Sequence, residues 1–239
     1  MSLKPILFGA IVALSFSIAF SQTVVITPRK TVYRRPKPPY DFKNTFTVRR
    51  PIARASTVTL SKKITAAISP EKVLELNIRK EMNEYQWLEE ADYKVLYKQN
   101  GVLSVELWMS GTAAYPDSVT KRVVVNVATG SAVRPSNVFK DLPALAKLVK
   151  KAQAAEIVAA TAEMRSDPDA RPEELFSEAN FTLEDFEEFS VDGKGVTFYY
   201  DYGFPHVLEA LHPDGEFRFS WGQLRPFVRT DGLLARFVR

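Results

Sequence analysis

The sequence predicts an α+β fold, an antiparallel β-sheet packed against one long and one shorter helix, on three observations. Alternating apolar residues flank an Asn100-Gly101 dipeptide, the pattern of a tight β-hairpin. An apolar stripe recurs at helical spacing from Leu142 toward Met164. The segments run helix, three strands, long helix and further strands, without the regular strand-helix alternation of a parallel sheet.

Each element follows from local signals. Phe46 and Val48, then Val58 and Leu60, suggest extended segments around Pro51, so the packed body is expected to begin near Phe46. Ser69 precedes Pro70 as a helix cap, and Val73, Leu74, Leu76 and Ile78 supply the apolar stripe of the shorter helix. Ala91, Tyr93, Val95 and Tyr97 alternate into the Asn-Gly turn, and Leu103, Val105, Leu107 and Met109 alternate out of it. The run Val123-Val124-Val125 suggests a strand covered on both faces, closed by a turn at Thr129-Gly130. Asp141 is the expected cap of the long helix, and a polar loop between Pro168 and Pro172 follows it. Phe181, Leu183, Phe186 and Phe189 lead into a second hairpin through Asp192-Gly193-Lys194-Gly195, and Ser220 with Gln223 forms a capping box at a short last helix.

Composition and charge bound the function. A chain that is 46% hydrophobic and 25% charged can build an ordinary core, and zero cysteines exclude a disulfide scaffold, a thiol nucleophile, a cysteine zinc site and a lipid-anchoring cysteine. Lys4, the apolar run Ile6 to Ala19, and small residues at Ala19 and Ser21 read as a secretory signal peptide over residues 1–21. That run is 14 residues, short of the ~20 that span a bilayer, so the expected product is exported to the periplasm or beyond, is not a lipoprotein and has no transmembrane helix after cleavage. Export argues against nucleic acid as a partner. From Gln22 to Lys63 eleven cations face Asp41 alone, a net +10, whereas Ile64 to Arg239 carries a net −7. Residues 22–57 therefore read as a basic, proline-containing arm joined to an α+β domain over 58–239. The arm is expected to be a solvated tether or to lie on its own acidic body; its functional reading places Arg29, Lys30, Arg34, Arg35 and Lys37 against an anionic envelope polymer or phospholipid headgroups. A proline-rich ligand for a partner groove is a further reading, although Pro36 to Pro39 has no flanking arginine in the usual register.

Catalytic motifs are absent: there is no glycine-rich phosphate loop, nucleophile elbow or His-Glu-x-x-His helix, and neither a cofactor nor a metal is expected. The two histidines, His206 and His212, would need Asp201 or Glu209 beside them to hold a metal, and His206, after Phe204-Pro205, reads better as the anchor of a turn. Glu184, Asp185, Glu187 and Glu188 flank Phe186 and Phe189. They read as the wet face of an alternating strand, and alternatively as the carboxylate pair of a glycan-cleaving cleft.

The segments Val196-Thr-Phe-Tyr-Tyr-Asp-Tyr-Gly-Phe-Pro-His206 and Phe217-Arg-Phe-Ser-Trp-Gly-Gln-Leu-Arg-Pro-Phe227 resemble the end of the RsiV-like domain, with the middle hairpin and the Val123 to Leu148 region in the order that family shows. That domain occurs in the extracellular part of a lysozyme-sensing anti-sigma factor and beside a peptidoglycan deacetylase domain. The resemblance, over Val58 to Arg239, implies a bacterial envelope protein with an α+β fold and no cofactor. With only Met1 to Pro5 ahead of the apolar run and no deacetylase domain, neither sigma-factor capture nor deacetylation carries over. The expected function is a non-catalytic binding domain for a cationic protein such as lysozyme, or for peptidoglycan. Its ligand is expected near Glu184, Asp185, Glu187, Glu188, Tyr200, Tyr202 and His206. The alternatives are a metal-independent cell-wall hydrolase or esterase using Glu and Asp, and a structural assembly protein.

Overall fold

The computed structural model describes residues 23–165 and 171–239; the expected signal peptide and the loop around Pro168 lie outside the described residues. The α+β expectation is met by two sheets and several helices. Six strands lie in sequence order in the first sheet: β1 (Val25–Arg34), β2 (Thr45–Arg54), β3 (Leu88–Gln99), β4 (Val102–Thr112), β5 (Pro116–Asn126) and the short β6 (Ser131–Ala132). Neighbours pair antiparallel except β2 and β3, which run parallel at Thr47 with Glu90 and Val48 with Ala91. A parallel step needs a crossover, and the chain between these strands supplies it as α1 (Val58–Ala67), α2 (Pro70–Val73) and α3 (Ile78–Asn83). The second sheet is β7 (Phe189–Val191), β8 (Gly195–Tyr199) and β9 (Glu216–Ser220). Between the sheets in sequence come the single turn α4 (Pro135–Val138), the long α5 (Leu142–Met164) and α6 (Pro172–Leu175); α7 (Trp221–Leu224) follows β9.

The basic arm is not a tether. Val25–Arg34 and Thr45–Arg54 pair along their full length, and Phe46 and Val48 are buried with Leu76, Leu88 and Ala91. Its prolines are compatible with strands: Pro28 lies on the edge strand and faces Pro51, which lies beyond Val48, the last β2 residue paired to β3. Val58 and Leu60, expected to be extended, instead start α1, whose first turn is capped by the Thr57 hydroxyl accepting from Leu60 N–H. The expected helix from Pro70 ends after one turn, where Glu75 takes a left-handed φ of 54°, and restarts at α3. The break has a packing reason: Leu74 joins the core beneath α1, whereas Leu76 joins the separate Phe46 cluster.

The central strands are buried from both sides. Leu103, Val105, Leu107 and Val125 pack with Ile64, Ala67 and Ile68 of α1 and the turn after it. Val102 and Val124 pack instead into a phenylalanine-rich core with Leu145 and Val149 of α5 and Phe189, Phe198, Phe217 and Phe219 of the second sheet. So β5 is covered on both faces at this end, although only β6 lies beyond it. A buried hydrogen bond from Val191 N–H to Ser104 Oγ, 3.2 Å, ties the two sheets together.

The arm is fixed by its own cations. Arg35, 2% exposed, donates from Nε to the Glu81 carbonyl at 3.2 Å, from Nη1 to those of Lys43 at 2.9 Å and Thr45 at 3.5 Å, and from Nη2 to that of Leu88 at 2.6 Å. Its plane also lies over the Phe46 ring, 4.8 Å from the centroid. Lys43 is buried beside it and donates to the Thr112 carbonyl. The buried Glu81 carboxylate accepts from Leu88 N–H at 3.2 Å; burial pushes this carboxyl above its ordinary value, against the pull of the Leu88 N–H and Arg35. Arg35→Met would leave these carbonyls without their donor and Glu81 without its nearest cation. We expect it to lower unfolding free energy by about 3–5 kcal/mol in urea titrations, while Arg34→Met, one residue away and exposed, changes it by less than about 0.5 kcal/mol.

Candidate functional site

Where the second sheet diverges from the first, a cleft of about 1120 Å³ opens between the β4–β5 turn, β5 and the chain that follows β8. Two local structures build its walls. On one side, Ala113 to Pro116 turn the chain, and Asp117 accepts the Ser118 N–H at 2.7 Å. On the other, the chain leaves β8 at Tyr200, runs out from Asp201 to Asp214 and returns at Gly215, whose carbonyl accepts Tyr200 N–H at 2.9 Å. Gly215 has a φ of 62°, and a Cβ there would lie 2.0 Å from the Tyr200 carbonyl oxygen, so this neck requires glycine.

The excursion is held by its histidines, of which the sequence suggested His206. His212 Nδ1 lies 2.6 Å from the Pro213 carbonyl and its Nε2 lies 3.2 Å from Tyr202 N–H, so the ring ties the two ends of the excursion. Asp201 lies 3.3 Å from the same Nε2 and accepts Gly203 N–H at 2.7 Å. His206, in a 3₁₀ turn (His206–Leu211), pairs through Nδ1 with Glu209 at 2.8 Å and packs its ring on Tyr115 across the mouth, centroids 5.2 Å apart. Asp201 and Glu209 thus sit beside the histidines, but among the described residues no three His, Cys, Asp or Glu side chains form a group that could hold a metal ion.

The expected binding residues separate into three groups. Asp185, Glu188, Tyr200 and His206 line the cleft together, although the acids lie on a 3₁₀ turn (Asp185–Glu187) and its flank rather than on an alternating strand. Asp185 accepts the Thr182 N–H and hydroxyl at 2.5 and 2.8 Å, which ties the turn to the chain before it, and Phe186 packs into the core. Glu184 and Glu187 are exposed outside the cleft. Tyr202 is buried behind it: its hydroxyl donates to Glu156 of α5 at 2.7 Å, and burial together with that carboxylate pushes the phenol well above its ordinary value. Of the basic residues, Arg29, Lys30, Arg34 and Lys37 are exposed, whereas Arg35 is buried in the fold and is no surface contact.

Sequence reasoning did not anticipate Arg122, which organises the floor. Its guanidinium lies 3.7 Å over the Tyr199 ring, pairs with Glu106 at 2.9 Å and reaches Glu188 at 3.5 Å, while its N–H donates to Glu188 at 2.9 Å. Lys121 approaches the same carboxylate at 3.7 Å. Both oxygens of Glu188 are thus engaged across the sheets, which makes it a latch between them. Beyond this cluster, Asp117, Asp185, Asp201, Glu209 and Asp214 line the cleft without a Lys or Arg partner among the described residues. No sequence signal marked them as a set, because they come from three separated segments.

A sheet sandwich with a phenylalanine-rich core and an acid-lined cleft beside it defines the class: an α+β domain with one open, charged site. No family model matches the chain, and no curated protein does. Solved structures do. A member of the DUF3298 family from Bacteroides fragilis is similar over 90% of this chain and 97% of that one, at 12% identity and a TM-score of 0.54. A DUF3298 family protein from Pseudomonas aeruginosa is similar over 87% of this chain and 94% of that one, at 12% identity and a TM-score of 0.59. The likeness is one of fold, to an uncharacterised domain family. Among the described residues no helix is long and apolar enough to cross a membrane.

Burial also pushes the Glu188 carboxyl above its ordinary value of 4.5, opposed by Lys121 and Arg122. The fold therefore favours the neutral acid, so the stability this group contributes is complete at acid pH and declines as pH rises from 4.5 through the raised value. Wild type is expected to lose stability relative to Glu188→Gln over that rise and then level off, as read from urea midpoints across a pH series.

Proposed function

We propose that the protein is an exported, non-catalytic binding domain of the bacterial envelope, in the manner of the RsiV-like domains it resembles, and that its cleft takes up the cationic surface of a protein such as lysozyme. One observation carries this reading: six carboxylates line the cleft against two cations, and both cations are already committed to Glu188. Asp117, Asp185, Asp201, Glu209 and Asp214 have no Lys or Arg partner among the described residues, and gathering their charge in a concave site attracts a ligand's Lys or Arg more strongly than a flat surface would. Tyr115 and Val207, both well exposed, stand near the mouth beside His206 and offer apolar contact around the charged centre. The latching of Glu188 favours binding over hydrolysis, because the half-buried carboxyl best suited to act as an acid is occupied on both oxygens. Export rests on the expected signal peptide, and a bacterial setting is supported by the source of both structural neighbours.

Calorimetric titration with lysozyme at two salt concentrations tests the proposal. We expect saturable binding that weakens with salt, and a loss of about tenfold in affinity for the triple variant Asp117→Asn, Glu209→Gln, Asp214→Asn, from modest contributions of partly exposed ion pairs. Absence of binding, or binding indifferent to the three substitutions, overturns it.

A further inference from the structure

The β1–β2 hairpin carries a second charged surface of opposite sign, on the far edge of the first sheet from the cleft strand β5. Its register places like charges opposite one another: Arg29 faces Arg50 and Lys30 faces Arg49. Such pairs destabilise an antiparallel ladder. The fold relieves only the inner strand. Arg49 reaches Asp92 at 2.5 Å and Glu90 at 3.8 Å, and Arg50 reaches Glu71 at 2.6 Å. Arg29, Lys30, Arg34 and Lys37 remain exposed, with no carboxylate partner among the described residues.

Exposed apolar side chains lie among these cations, of which Lys30 and Arg34 share a face of β1 with Val32 whereas Arg29 projects from the other side of the edge strand. Val32 lies between Lys30 and Arg34, 57% exposed, and the connection to β2 presents Tyr40 and Phe42, 61% and 77% exposed. These two rings stack on each other at 5.4 Å with planes 3° apart. The interior of the protein uses neither ring. A soluble polyanion would be served by the cations alone, and Phe42 has no polar group to offer it. A surface that is anionic at its headgroups and apolar just beneath them matches both components.

We propose that the β1–β2 hairpin docks on an anionic phospholipid surface, with Tyr40 and Phe42 entering the headgroup boundary and Arg29, Lys30, Arg34 and Lys37 contacting lipid phosphates. The connection that carries Phe42 is tied to the end of β4, where Lys43 donates to the Thr112 carbonyl, so the docked protein would hold a membrane by one edge of its sheet with the Ala113 rim of the cleft close to that surface.

Co-sedimentation of the purified protein with vesicles tests this. We expect binding to vesicles containing phosphatidylglycerol, none to phosphatidylcholine alone, and weakening with salt. Replacing all four cations by glutamine should reduce the partition coefficient at least a hundredfold, at about fivefold per cation. Tyr40→Ser with Phe42→Ser should reduce it about tenfold and leave salt dependence unchanged. All six side chains are exposed, so circular dichroism should report an unaltered fold; if either multiple variant is misfolded, Lys30→Gln and Phe42→Ser alone should still give the smaller losses. Equal binding to both vesicle types overturns the proposal. So does retention of binding by the ring variant with equal capture of soluble polyphosphate, which would assign the surface to a polyanion.

Discussion

Four backbone carbonyls converge on one buried guanidinium, and the arrangement of the first sheet depends on that convergence. Arg35 gathers the end of β1, the start of β2, the tail of α3 and the start of β3. These are the pieces that the single parallel step must bring together, at a place where β2 and β3 share only two register pairs. So little ladder pairing would hold the hairpin weakly. A desolvated cation with its donors satisfied and an aromatic ring beneath it supplies the missing specificity. With β3 fixed, the β3–β4–β5 meander has a defined outer edge, and the cleft inherits its floor from β5.

Charge in this molecule is divided by function as well as by sequence. The cations of the hairpin fall into an inner set used to hold the fold and an outer set left to solvent; Arg35 and Lys43 belong to the first. The acids divide in the same way. Glu81, buried, and Glu188, half-buried, are structural and pushed toward their neutral forms, whereas Asp201, Glu209 and Asp214 stand open in the cleft. A net charge taken over a segment cannot reveal this division, because it counts a buried knot and a free surface alike.

What the sequence disclosed was local. Asn100 and Gly101 both take left-handed φ values, 52° and 70°, as a two-residue hairpin demands. Asp141 caps α5 by accepting Ala144 N–H, and Ser220 with Gln223 forms its capping box around α7. The hidden features are long-range. Strand character in the proline-containing arm became apparent only through its full-length pairing, and the split between α2 and α3 only through the two cores that Leu74 and Leu76 enter. The Asp185, Glu188, Tyr200 and His206 neighbourhood was legible because those residues lie close along the chain. Asp117 and Arg122 join it from β5, some distance earlier, and nothing in their own surroundings marks them.

The neck between Tyr200 and Gly215 separates two regimes of tolerance to change. Below it, β8 and β9 pair within a core of close-packed rings, where almost any change of volume is felt. Above it, the chain from Asp201 to Asp214 is anchored near its start by Tyr202 on Glu156 of α5 and by Phe204 against Phe176, and the stretch from Pro205 to Asp214 is joined to the ladder only through the neck. Such an excursion can be lengthened, shortened or rewritten with little disturbance to the sheet beneath. A scaffold organised in this way can diversify what its cleft accepts while its strands stay in place, so proteins sharing the architecture need not share a ligand.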